Sequence, residues 1–154
     1  MSIKNGLIAG LIATIVLSIM MFIATGMNLV PGMNAIRMWM DILVSLGLPM
    51  TPVIGWIAHL LLGIVVWGII FAKTYEIWPG GRTMKGIWFA TAAWLLMMIL
   101  FMPMAGVGFF GGSLGHGGWL LPLILHFIYG TALGWAGEWL QARESGAGTS
   151  TSAA

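Results

Sequence analysis

His59 and His126 are the residues best equipped for chemistry, because each lies in a long apolar run and is flanked at helical spacing by glycine. Gly55, His59 and Gly63 are spaced by four, as are Pro122, His126, Gly130 and Gly134. Residues four apart stack one above the other on a helix, so each imidazole would have a bare backbone patch beside it. Ionisable groups inside a membrane are by default candidates for function. The sharp reading makes both histidines axial ligands of a haem b iron, with Gly55, Gly63, Gly130 and Gly134 making room for the flat macrocycle. The plain reading gives each histidine a hydrogen bond across a close helix contact, with the glycines letting the backbones approach. Only Arg37 offers a cation for haem propionates on that side of the chain, which weighs toward the plain reading.

Other groups are weaker candidates. His116 stands among glycines and, folded toward the other two, would complete a three-histidine site for copper or zinc; a lone loop histidine is ordinarily solvated. Met20-Met21, Met97-Met98, Met102 and Met104 bring thioethers, which suit Cu(I). Methionine also fills irregular apolar gaps, and adjacent methionines on a helix point in different directions, so packing is the expected role. The stretch from Gly106 to Gly111 matches a dinucleotide fingerprint in its letters, but that motif works between a strand and a helix with an acid about 20 residues on. Here no acid follows before Glu138. Its glycines suit a compact or mobile loop that dips Phe109 and Phe110 into the membrane interface.

Cysteine is absent, which excludes disulfides, thiolate metal sites and cysteine nucleophiles. No nucleophile, base and orienting acid come together, so the chain is not expected to be an enzyme. No carboxylate lies deep in an apolar run, which argues against proton-coupled transport. Lys73 and Glu138 lie at the same end of two runs and are candidates for a pair.

The elements that must hold these side chains follow from composition. Hydrophobic residues make up 60% of the 154 and charged residues 6%, with a formal charge of +2, where soluble domains carry about 25% charged residues. Such a chain has too little polar surface to cover itself, and its few scattered cations are no nucleic-acid footprint. A helix needs about 20 apolar residues to cross a bilayer. Residues 6–27, 53–75, 84–104 and 119–139 qualify, and nothing alternates as a barrel strand does. The expected fold class is all-α, an integral membrane four-helix bundle over residues 1–140. The run after Lys4 has the charge and apolarity of a secretory leader and is expected to stay as an anchor.

Four crossings put both termini and residues 76–83 on one face. That face collects Lys4, Lys73, Arg82, Lys85 and Arg143, against Arg37 alone on the other, so cytoplasmic termini in the cell inner (cytoplasmic) membrane are expected. Trp56, Trp78, Trp119, Trp139 and Tyr75 fall near span ends, where amphipathic rings meet headgroups. Residues 33–47 place Asn34, Arg37, Asp41 and Ser45 on one side and Ile36, Met40, Leu43 and Leu46 on the other. That pattern predicts a short interfacial helix on the outer surface, ended before Pro49. Residues 141–154 have no apolar period and are expected to be disordered.

An internal repeat is suggested. A shift of 77 residues lays Ala13-Thr14 on Ala90-Thr91 and Met20-Met21 on Met97-Met98, and a shift of 67 lays His59 on His126 and Gly63 on Gly130. Chance matches between apolar helices are common; a true duplication would make two parallel helical-hairpin repeats about an axis along the membrane normal. The second and fourth helices would then run in the same direction. His59 and His126 lie six and seven residues into their spans, so both imidazoles would sit about 9–11 Å deep at about 1.5 Å per residue.

The opening Gly-Leu-Ile-Ala-Gly-Leu-Ile-Ala-Thr, Gly55-Trp56 with His59 and Gly63, Met97-Met98 with Met102-Pro103 and the glycine loop, and His126-Phe-Ile-Tyr129-Gly130 span about residues 6 to 135. In these pieces the chain resembles a family of small bacterial and archaeal four-helix membrane proteins of unknown function. The resemblance implies fold and topology and supplies no catalytic residues. Two functions are compatible with these features. One is an accessory or anchoring subunit of a larger membrane complex, for which a respiratory complex with or without haem is a candidate, with lipid and other membrane subunits or self-association as its partners. The other is a small oligomeric channel or carrier, for which Thr14, Ser18, Thr91 and Thr131 would make a thin polar lining.

Overall fold

The computed structural model describes residues 1–151, with side chains for residues 1–145. Helix α1 covers Ile3–Gly26, α2 Ala35–Ser45, α3 Pro52–Thr74, α4 Arg82–Met104 and α5 Gly117–Thr151. No strand occurs among the described residues. The four spans expected from hydropathy are therefore α1, α3, α4 and α5. Helix α5 runs on through residues 141–151, where composition suggested a disordered tail, and residues 152–154 lie outside the described residues.

The starts of three helices are written in the sequence. Ser2 and Thr51 cap α1 and α3 by accepting from the backbone N–H of Asn5 (3.3 Å) and Ile54 (3.4 Å), and Asn34 caps α2 by accepting from Arg37 (2.9 Å). Such side chains satisfy donors that the first turn leaves free. Pro52 occupies the first turn of α3, where its missing N–H costs nothing. The chain between α4 and α5, residues 105–116, contains a short 3-10 segment, Phe109–Leu114, and along this connection Gly106, Gly108, Gly111 and Gly115 take positive φ, a region that excludes most side chains. Phe109 is exposed, and the Phe110 ring stands 5.9 Å from that of Trp94.

Only 22% to 39% of the most apolar stretch of each span is buried within the bundle. The remaining apolar surface, including Ile15, Ile19, Phe22, Val53, Ile99 and Trp135, has lipid as its compatible solvent. The chain is a multi-pass membrane protein.

Helix α1 packs on α3 and α5, and α4 packs on α5, while α3 and α4 stand farther apart. In the half of the bundle nearest the termini, small residues let backbones touch. A methyl group added to Gly68 would stand 2.7 Å from the Gly6 carbonyl oxygen, and one added to Gly134 would stand 2.8 Å from that of Arg82. Rings close the wider gap: Phe71 and Trp67 of α3 meet Phe89 of α4 at 5.1 and 5.8 Å. Buried Ala9, Tyr75, Ala90, Leu133 and Ala136 complete this core. At its rim Glu138 pairs with Arg82, not with Lys73 as the sequence suggested, and Lys85 pairs with Glu76 at 3.1 Å.

The half away from the termini is built differently. Helices α3 and α4 widen to π-helical turns at Leu61–Val66 and Met97–Phe101. In α4 the cause is Pro103, which has no N–H for the Ile99 carbonyl four residues back and whose ring crowds it. Across this end lies α2. It buries Met38, Trp39 and Ile42 against Met98 and Met102 of α4, and sets Ile36 and Met40 against Gly55 of α3. Its inward face is thus turned from the one read in the sequence, which had Leu46 facing the apolar side; Leu46 is exposed. Helix α2 is a roof seated on the bundle.

Candidate functional site

Beneath that roof lies a partly open cavity of about 170 Å³, to which every spanning helix and α2 contribute. His59 of α3 and His126 of α5 both line it, with Tyr129 and the Gly63 backbone deeper and Asn34, Arg37 and Asp41 by α2. The sequence expected the two imidazoles at matching depth on either side of a haem; the fold brings both to the wall of one cavity. Sequence alone gave no hint that Tyr129 joins them, although Tyr129 follows His126 by three residues and so shares its face.

Hydrogen bonds fix the imidazoles. His126 Nδ1 lies 2.8 Å from the Pro122 carbonyl oxygen. A carbonyl only accepts, so Nδ1 carries the proton and Nε2 keeps a free lone pair. On the other side, the Ser18 hydroxyl donates to the Thr14 carbonyl at 2.7 Å and lies 3.2 Å from His59 Nε2. With its one proton committed, Ser18 Oγ accepts from Nε2–H, which leaves the lone pair of neutral His59 on Nδ1. The Trp56 ring stands edge-on to His59 at 5.6 Å. Between the helices, the Tyr129 hydroxyl donates to the Gly63 carbonyl at 2.9 Å, in the widened turn of α3.

The glycines serve packing. A methyl group on Gly55 would meet the Ile36 carbonyl at 2.9 Å and Met40 at 3.0 Å, and one on Gly63 would meet Thr14 Cγ2 at 2.9 Å. Gly130 faces Gly86 and Ala90, and Gly134 faces Arg82 and Thr83. All four patches that were to admit a macrocycle are filled by neighbouring helices. Pockets for drug-sized ligands run about 300–1,000 Å³, well above this cavity, so the residues present do not fit haem. His116 is exposed in the 109–118 turn and does not line the cavity, so the three-histidine site is not assembled. Among the described residues there is no cluster of three or more His, Asp and Glu side chains.

The methionines divide in a way that letters alone could not reveal. Met21, Met33, Met38, Met97 and Met102 line the cavity, whereas Met98, next to Met97, is fully buried against α2 and Met104 is exposed. Of the proposed pore hydroxyls, Thr14 donates to Gly10, Ser18 to Thr14 and Thr91 to Ile87, each on its own helix at 2.7 to 2.8 Å. Thr131 is exposed.

Comparison with known proteins gives one finding: a family model described as a family of unknown function (DUF6789) matches residues 1–147. No curated protein and no solved structure matches the chain.

Proposed function

The chain belongs to the DUF6789 family, and since that membership assigns no role, we propose a function from the cavity: a small membrane subunit that holds a ligand in the half of the bilayer away from its termini. The observation that carries this reading is convergence. Four spanning helices and α2 all turn side chains into one space that contains two oriented imidazoles and a tyrosine. Ligand sites have this mix of apolar walls and few placed polar groups.

The positive-inside bias favours cytoplasmic termini, and with that orientation the cavity would face the opposite compartment. With almost no mass outside the bilayer and no catalytic constellation, the subunit would work as an accessory part of a larger membrane assembly. A channel has less support, because the hydroxyls that would line it are tied to their own helices.

The test is retention. Protein extracted in mild detergent and examined by native mass spectrometry should carry a bound species that Ala93→Leu, which fills the cavity wall, releases. Wild-type protein that is empty and gives no Trp39 or Trp67 fluorescence response to any metal or membrane extract would remove the reading.

A further inference from the structure

We infer that the ligand is a soft monovalent metal ion, Cu(I), held by His59, His126 and methionine thioethers; this rests on the cavity reading above.

Three features point to it. The first is donor chemistry. Met21 of α1, Met38 of α2, and Met97 and Met102 of α4 share one small cavity with the two histidines. Thioether and imidazole together select Cu(I), whereas Mg²⁺, Ca²⁺ and Mn²⁺ want oxygen ligands. The one carboxylate on the lining, Asp41, stands 4.0 Å from Arg37 and is partly exposed.

The second is the orientation of the imidazoles. A metal-bound histidine ordinarily gives its other ring N–H to a carbonyl or another acceptor, which fixes the tautomer and ring. His126 does this toward Pro122 and His59 toward Ser18, and the remaining nitrogens, His126 Nε2 and His59 Nδ1, have no hydrogen-bond partner among the described residues. The Pro122 carbonyl and the Ser18 hydroxyl, itself anchored on Thr14, thus hold two neutral lone pairs ready. The third is scale: a cavity of about 170 Å³ is small for an organic ligand but ample for one ion and its ligands. The lining cation Arg37 is offset by Asp41 beside it, so the site carries no net charge, and a monovalent cation costs less to hold there in a low-dielectric setting than a divalent one.

The experiment titrates purified, metal-free protein in detergent with Cu(I) under anaerobic reducing conditions against a chromogenic chelator, with Zn(II) in parallel. One Cu(I) per chain is expected, with X-ray absorption reporting mixed nitrogen and sulfur ligation. His126→Ala should abolish binding. Ser18→Ala, which frees the His59 ring, should weaken it about 10- to 100-fold. Met97→Leu and Met102→Leu keep side-chain volume and should each weaken Cu(I) binding at least about tenfold, while Met27→Leu, exposed at the end of α1, should change nothing. Zn(II) binding as tight as Cu(I), or Cu(I) binding indifferent to both methionine variants, overturns the soft-metal site. If no metal binds yet Ala93→Leu still releases a retained organic molecule, the metal assignment fails while the ligand cavity stands; if neither is seen, both fail. Unchanged helical circular dichroism in each variant excludes misfolding as the cause.

Discussion

The two halves of this bundle use the same kinds of residue to opposite ends. Near the termini, glycine brings backbones into contact, Gly6 against Gly68 and Gly86 against Gly130 and Gly134, and aromatic rings plug what remains. Away from the termini, α4 carries a proline and α3 and α4 each a π-helical turn, methionines join the rings in the packing, and the glycine of α3 nearest the roof accommodates α2. Without a hydrophobic driving force in lipid, close packing is what holds helices together. The first half is therefore where stability resides, and the second is where the bundle tolerates a vacancy and the polar groups that face it.

Substitutions can break or sharpen that contrast. The largest effect is expected in the tight half: Gly86→Val drives a side chain into the α5 backbone and should cost about 3 kcal/mol or more by overpacking, read as loss of monodisperse protein on size exclusion after mild heating. Tolerance of that change would erase the distinction between the halves. At the boundary, Tyr129→Phe removes the bond to the Gly63 carbonyl and should cost about 1 kcal/mol, measured as a lowered unfolding midpoint in detergent; no change would mean that the crosslink between α3 and α5 contributes nothing. In the open half, Ala93→Leu should be near neutral or stabilising by about 1 kcal/mol, as cavity-filling changes often are, while removing the bound species. A stability loss as large as that of Gly86→Val would show that this half is as closely packed as the other. The smallest effect belongs to Glu138→Gln: the Arg82 side chain is 70% exposed, so breaking the pair should cost at most about 0.5 kcal/mol, and less as salt rises.

How much of this was legible in the sequence depends on which force wrote each feature. Hydropathy and length dictate the four spans, so these were readable, and a spacing of four puts His59 and His126 on glycine-flanked faces; that both faces border one cavity depends on how the helices pack. What fills a glycine face is not readable, because it depends on the approach of a second helix. The patches at Gly55, Gly63, Gly130 and Gly134 were open in the haem reading and are occupied in the fold. The π-turns had one partial signal, Pro103, and none at Leu61–Val66, since a shift in hydrogen-bond register leaves composition untouched. The rotation of α2 was missed because Met38 and Trp39 find partners in α4 that only the tertiary fold supplies. Met97 and Met98 are identical letters with opposite roles, separated by the roughly 100° between neighbours on a helix.

The bond from Tyr129 to Gly63 crosses from α5 to α3 at the cavity wall, like a crossbeam. If it closes the inner end of the space under α2, whatever enters there would leave through the same door by which it arrived. Such a compartment is suited to keeping or handing over its contents on one side of the membrane, and delivery to the far side would require this beam and the Phe71–Phe89 contact below it to part.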